Sequence, residues 1–225
     1  MRSVYPAPGF LEGVRKLVTK NRSVLIIDEI SAGFRICTGG AHLQFNVEPD
    51  IAVFSKAIGN GYPIAAIIGK KKVMDAAQNT FISSTMWTER IGPVAALATI
   101  EKFQEKNVAP HLMTIGRKIQ EGWARAAQEA KVKITVSGIY PLSHFVFDDS
   151  VHPTMKAYYV QEMLKKGFLA SNLFYSMYAH TNNCVDQYVK ATKDVFKKMT
   201  LLIKQKKLNA ALRGAPASSG FRRLT

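Results

Sequence analysis

Two side chains stand where chemistry is done in α/β proteins. Asp28 closes the apolar run SVLII, and Lys56 directly follows the apolar run IAVFS. A residue at the end of a short apolar strand lies at the carboxyl edge of a sheet, and ligands of open α/β folds bind at that edge. A carboxylate there can keep a heteroaromatic nitrogen protonated, so that the ring accepts an electron pair from a carbanion. An amine there can condense with an aldehyde, and partial burial beside positive charge would free it as a nucleophile. Each position taken alone also suits an ordinary role: Asp28 a turn or helix-cap aspartate, Lys56 a surface lysine.

The flanking sequence predicts the elements that hold these two. Pro6, Pro8 and Gly9 lead into a helix with Phe10, Val14, Leu17 and Val18 on one face, broken at Asn21. SVLII is too uniformly apolar for a half-exposed strand and is expected to be buried. Residues Ser31 to Glu48 are rich in glycine and polar side chains and read as a long functional loop. Pro49 and Asp50 open the strand IAVFS; Gly59, Asn60, Gly61 and Pro63 mark a tight turn, and IAAII forms a third strand. Lys71 to Asn79 and Ile91 to Lys106 are expected to be helical. Short apolar strands alternating with helices predict an α/β sheet covered on both faces.

A boundary near Asn107 to Pro110 divides the chain into residues 1–108 and 109–225. In the second part Leu112, Ile115, Ile119, Trp123 and Ala126 make one helical stripe. VKITV and HFVF read as strands, Thr154 to Lys166 as a helix, and FLASNLFYSMYAH as a strand followed by a loop. The last helix places Val185, Tyr188, Val189, Thr192, Val195, Phe196, Met199 and Leu202 on one face, with Asn183 and Asp186 as its expected cap. This part reads as a small α+β domain, followed by an irregular tail from Gly214 to Gly220.

Composition narrows the function classes. The 225 residues are 47% hydrophobic and 21% charged, as in soluble globular proteins. No apolar run approaches the roughly 18 residues of a membrane helix, and MRSVYPAPGF lacks the apolar core of a signal peptide. Cys37 and Cys184 make no disulfide framework, which fits a reducing, cytoplasmic setting. The net charge of +15 is spread over separate clusters such as Lys70 to Lys72 and Lys204 to Lys207, which read as solvated faces. No aromatic-interleaved basic strand or zinc-finger spacing points to nucleic acid. The five histidines, His42, His111, His144, His152 and His180, show no metal-ligand spacing, so no metal is expected.

The segments IIDEISAGFR, PDIAVFSKAIGNGYP and STMWTERIGPVAALATIEKF together resemble the class III aminotransferases, and within them the group around glutamate-1-semialdehyde aminomutase. The resemblance extends to PAPGFLEGVRKL before them and to KKGFLASNLFYSMYAHT and SGFRRLT after them. It implies the fold type I architecture of pyridoxal-phosphate enzymes, an α/β fold with a partial large cofactor-binding domain and a small C-terminal α+β domain. It implies pyridoxal 5'-phosphate as cofactor, an amino donor and an oxo acceptor as substrates, and a homodimer whose sites borrow residues from both subunits. By position, Lys56 would form the Schiff base and shuttle a proton, and Asp28 would pair with the pyridine nitrogen. Ile30 would pack on the ring, a position that equally suits a core isoleucine. Thr85 would donate to the cofactor phosphate across the dimer interface, with Thr88 as the alternate, and either threonine could instead cap the following helix. Arg35 and Arg90 are candidates for a substrate carboxylate. Ser31 stands where many relatives carry glutamine and receives no role.

Members of this family run to about twice a single-domain length. The earlier half, with its first strands, phosphate-holding loop and ring-stacking aromatic residue, has no counterpart here. A sheet without those strands would expose an apolar edge and face, so a fragment or truncated product with weak or no activity alone is expected. Two rivals stand beside the aminotransferase: an aminomutase using the same two residues, and an inactive remnant that binds partners through its charge.

Overall fold

In the computed structural model, which describes residues 4–86, 88–148 and 151–216, the chain divides into two compact units, with the division falling between Met113 and Thr114. The C-terminal SGFRRLT and most of the tail expected to be irregular lie outside the described residues.

The first unit contains helix α1 (Phe10–Lys20) and strands β1 (Ile26–Asp28), β2 (Ile51–Phe54) and β3 (Ala66–Gly69). Helices α2 (Lys71–Met74) and α3 (Ile91–Glu105) and the first residues of α4 (Val108–Ala130) complete it. Strand β1 runs parallel to β2 with Asp28 opposite Val53, and β3 runs antiparallel to β2, giving the order β1-β2-β3. The core of this unit gathers Phe34, Ala52, Phe54, Ile58, Phe103 and Leu112. Phe34 meets the rings of Phe54 and Phe103 edge-on, each at 5.9 Å between centroids.

Burial departs from expectation here. Ile26 is 58% exposed, and Ile67 and Ile68 in β3 are 59% and 56% exposed. Among the described residues β1 and β3 each pair only with β2, so both are edge strands, and the faces that carry these isoleucines lack the expected cover. Helix α1 forms at the expected place, yet Phe10 and Leu17 of its apolar face are exposed too.

The second unit holds most of α4, then β4 (Ile134–Ser137), β5 (Leu142–Phe147), α5 (His152–Lys165), β6 (Leu173–Tyr175) and α6 (Asn182–Lys204). Its sheet is antiparallel in the order β4-β5-β6. The stripe Leu112, Ile115, Ile119, Trp123 and Ala126 on α4 is buried throughout. Phe145 sits amid Trp123, Phe147, Tyr159 and Phe196, all edge-on within 5.9 Å. Trp123 Nε1 donates to the Tyr188 hydroxyl at 3.0 Å, and Tyr188 and Tyr159 share a 2.8 Å bond, so the polar tips of these buried rings are paired. Two boundaries differ from expectation. The strand in FLASNLFYSMYAH begins only at Leu173, after an irregular stretch, and the expected loop then follows it. Helix α6 is capped by Thr181, whose hydroxyl accepts from Cys184 N at 3.2 Å, while Asp186 pairs with Lys118 at 2.8 Å.

Candidate active site

Asp28 and Lys56 both stand at the carboxyl edge of the parallel pair β1–β2. Asp28 is the last residue of β1, and Lys56 lies two residues beyond the end of β2. With Asp28 in register with Val53, carboxylate and amine stem from neighbouring strand tips on one edge. Both are exposed among the described residues, so the partial burial expected for Lys56 is not present.

The turn after β1 is tightly built. Asp28 Oδ1 accepts from Ile30 N at 2.9 Å, and Gly33 N donates to the Glu29 carbonyl at 2.8 Å. Gly33 admits no side chain, because a Cβ there would lie 2.8 Å from both the Glu29 carbonyl oxygen and Phe54 Cδ1. Glu29 itself is fully buried. Its Oε1 accepts from His42 N at 2.9 Å and lies 2.7 Å from His42 Nδ1, while Oε2 is buried without a hydrogen-bond partner among the described residues. The strand tip is thereby fastened to the short 3-10 turn Ala41–Phe45 of the following loop. Cys37 closes the same loop by donating to the Gly40 carbonyl at 3.1 Å, and burial pushes its thiol up.

The Lys56 side is as constrained. Lys56 adopts a left-handed backbone, φ 51°, uncommon for a residue other than glycine and typical of functional positions. Its carbonyl accepts from Gly59 N and Asn60 N, and the Ser55 hydroxyl donates to the Ile64 carbonyl at 2.7 Å. The Lys56 ammonium donates to Ser31 Oγ at 2.5 Å. The two tips thus meet through Ser31, which the sequence left without a role.

The remaining candidates fall elsewhere on the first unit. Ile30 is half-buried in the β1 turn. Thr85 and Thr88 are exposed in the segment before α3. Among the described residues neither caps that helix. Glu89 does, with Oε1 accepting from Ile91 N at 2.8 Å and Oε2 from Gly92 N at 3.1 Å. Arg35 is half-buried and Arg90 exposed. Among the described residues no group of three or more metal-binding side chains occurs, and no helix is long and apolar enough to cross a membrane.

Sequence reasoning missed three participants. Glu29 was visible only as an acid directly behind an apolar strand, and His42 as a histidine behind two glycines. Glu89 gave a cap signal, an acid just ahead of the first helical turn, that two nearby threonines overshadowed.

A mixed sheet flanked by helices, joined to a small α+β unit, places the chain among folds of the transaminase type. It superposes on the FumI protein of Sphingopyxis sp. MTA144, solved in its PLP internal aldimine form, with a TM-score of 0.81 and 24% identity over 91% of this chain and 48% of that one. An omega-transaminase from Sphaerobacter thermophilus matches with a TM-score of 0.76 and 22% identity over 87% of this chain and 49% of that one. Residues 3–179 match the family model described as aminotransferase class-III, and the chain belongs to that family. It is 33% identical to a 3-aminobutyryl-CoA aminotransferase of Cloacimonas acidaminovorans over 80% of this chain and 43% of the relative. It is 32% identical to a glutamate-1-semialdehyde 2,1-aminomutase of Desulfosudis oleivorans over 87% of this chain and 50% of the relative. The chain thus spans about half the length of the curated relatives it matches.

Proposed function

We propose that the chain carries the lysine and carboxylate of a pyridoxal-phosphate-dependent aminotransferase that moves an amino group from an amino compound to an oxo acid or aldehyde. The observation that carries this reading is the meeting of Lys56 and the Asp28 turn, through Ser31, at one carboxyl edge of a parallel strand pair. The donor set fits the cofactor: an amine, a carboxylate and the apolar side chain of Ile30 arise from two adjacent strand tips. Pyridoxal phosphate, when bound, supplies an aldehyde carbon for amines and an electron-accepting pyridinium ring.

The chain's residues then divide the work. Lys56 Nζ is the nucleophile that holds the cofactor and the base that takes the proton from the donor's Cα. Asp28 keeps a proton on the ring nitrogen, and its bond from Ile30 N holds the carboxylate in place for that task. Ile30 would pack against the ring, and Thr85, with Thr88 as alternate, would donate to the phosphate. The proposal includes a large domain to about residue 108, a small domain after it, and a homodimer as the active unit in a cytoplasmic setting.

Mass spectrometry of an amino donor incubated with an oxo acceptor, cofactor and the chain tests this reading. The expected result is donor-derived oxo product, abolished in Lys56→Ala. Product formation that persists in Lys56→Ala would refute it. The likeness to the Desulfosudis oleivorans aminomutase favours an intramolecular amino shift as second reading. Turnover without any added acceptor distinguishes it, since only a mutase proceeds there.

A further inference from the structure

Lys56 Nζ donates to Ser31 Oγ at 2.5 Å. Both ends of this contact leave constrained backbone. Ser31 sits within the turn closed by Gly33 N on the Glu29 carbonyl, and the Glu29 carboxylate is buried against His42. Lys56 leaves a left-handed backbone, and Ser55 before it is tied to Ile64. Two fixed backbones that deliver an amine onto one hydroxyl describe a built contact rather than a chance one.

We infer that Ser31 is a positioning residue that holds the Lys56 amine at the β1 tip. The contact serves both protonation states, because an ammonium donates to Oγ whereas a neutral amine accepts from the Oγ–H. A flexible four-carbon stem is thereby kept on the edge where the Asp28 carboxylate stands, and less ordering remains to be done when an aldehyde arrives. The consequence for cofactor capture rests on the proposed role of Lys56; the contact itself does not.

Competitive acetylation of the full chain without cofactor, read by peptide mass spectrometry with exposed Lys190 as internal reference, tests the contact. Ser31→Ala is expected to raise relative labelling of Lys56 by about 5-fold or more, as one charge-assisted hydrogen bond is lost. Ser31→Thr, which keeps the hydroxyl, should stay within about 2-fold of the parent on the same ground. Ser31→Cys, close in size but a poor acceptor, should behave as Ser31→Ala and serves where the alanine variant does not fold. Unchanged Lys56 labelling in Ser31→Ala or Ser31→Cys, with circular dichroism intact, would overturn the inference. Borohydride reduction with pyridoxal phosphate separates the two ideas. Faster acetylation with no cofactor label on Lys56 would support the contact and refute the cofactor reading. Reduced trapping at Lys56 in Ser31→Ala supports both.

Discussion

Asp28 and Lys56 occupy positions that short apolar strands make easy to find. A buried-type run ends abruptly at a charged side chain, and that boundary marks the carboxyl edge. Ser31 was harder to see, because a serine in a loop gains a partner only when the turn geometry brings one. The Glu29–His42 pair was invisible for the same reason: a buried acid needs a partner that lies 13 residues away in sequence. In the proposed reaction Asp28 supplies charge that an amide cannot. Asp28→Asn is therefore expected to lower amino transfer by about 10²-fold or more while leaving the fold intact; steady-state kinetics with circular dichroism checks it, and near-parental kcat would remove Asp28 from the mechanism. Gly40 allows the latch. A Cβ there would lie 2.2 Å from His42 Cε1 and 2.9 Å from Glu29 Oε1, so Gly40→Ala must push the imidazole aside. The buried Glu29 carboxylate would then lose its imidazole partner and keep only the His42 amide, at a cost of about 1–3 kcal/mol. A thermal midpoint equal to the parent's would show that the latch contributes nothing.

Helices announce themselves through periodicity, and α4 and α6 follow their stripes closely, with Ile115, Ile119, Trp123, Val195, Phe196 and Met199 all buried. Helix α1 shows the limit of that signal. Spacing predicts a helix and its apolar face, not what covers the face. Caps are subject to local competition: Thr181 already has an extended backbone one position before the helix, so its hydroxyl reaches Cys184 N before Asn183 can act. Between α5 and α6, burial pushes the Glu162 carboxyl up, but hydrogen bonds from Lys165, Gln161 and Lys198 outweigh it and hold it at about 2. In the other unit the Leu25 amide, then Arg15 and Lys70, hold Asp50 at about 2. Folded values below the ordinary 4.5 and 3.8 mean that both groups stabilise above that range and lose their contribution as pH falls toward 2. Urea unfolding of Glu162→Gln against the parent is expected to show a gap at pH 7 that closes between about pH 4.5 and 2. A gap independent of pH would mean that the charge on Glu162 is not what stabilises the packing of α5 and α6.

Taken whole, the two units differ in their cores. The second buries a large aromatic core around Phe145 and leaves Leu164, Leu169 and Leu201 exposed; the first has a smaller core and leaves Ile26, Ile67, Ile68, Phe81 and Leu97 exposed. Among the described residues β1 and β3 are edge strands, and their side chains Ile26, Ile67 and Ile68 leave apolar surface open. Such a surface is expected to bind a hydrophobic dye and to self-associate. Lysine at Ile26 and Ile68 together should diminish both effects, as judged by dye fluorescence and sedimentation. Unchanged association would locate the sticky surface elsewhere. The role proposed for Lys56 can be tested without turnover. Reduction with borohydride in the presence of pyridoxal phosphate, followed by peptide mapping, should place the cofactor's mass on Lys56 and nowhere else. Label on another lysine, or on none, would contradict the account.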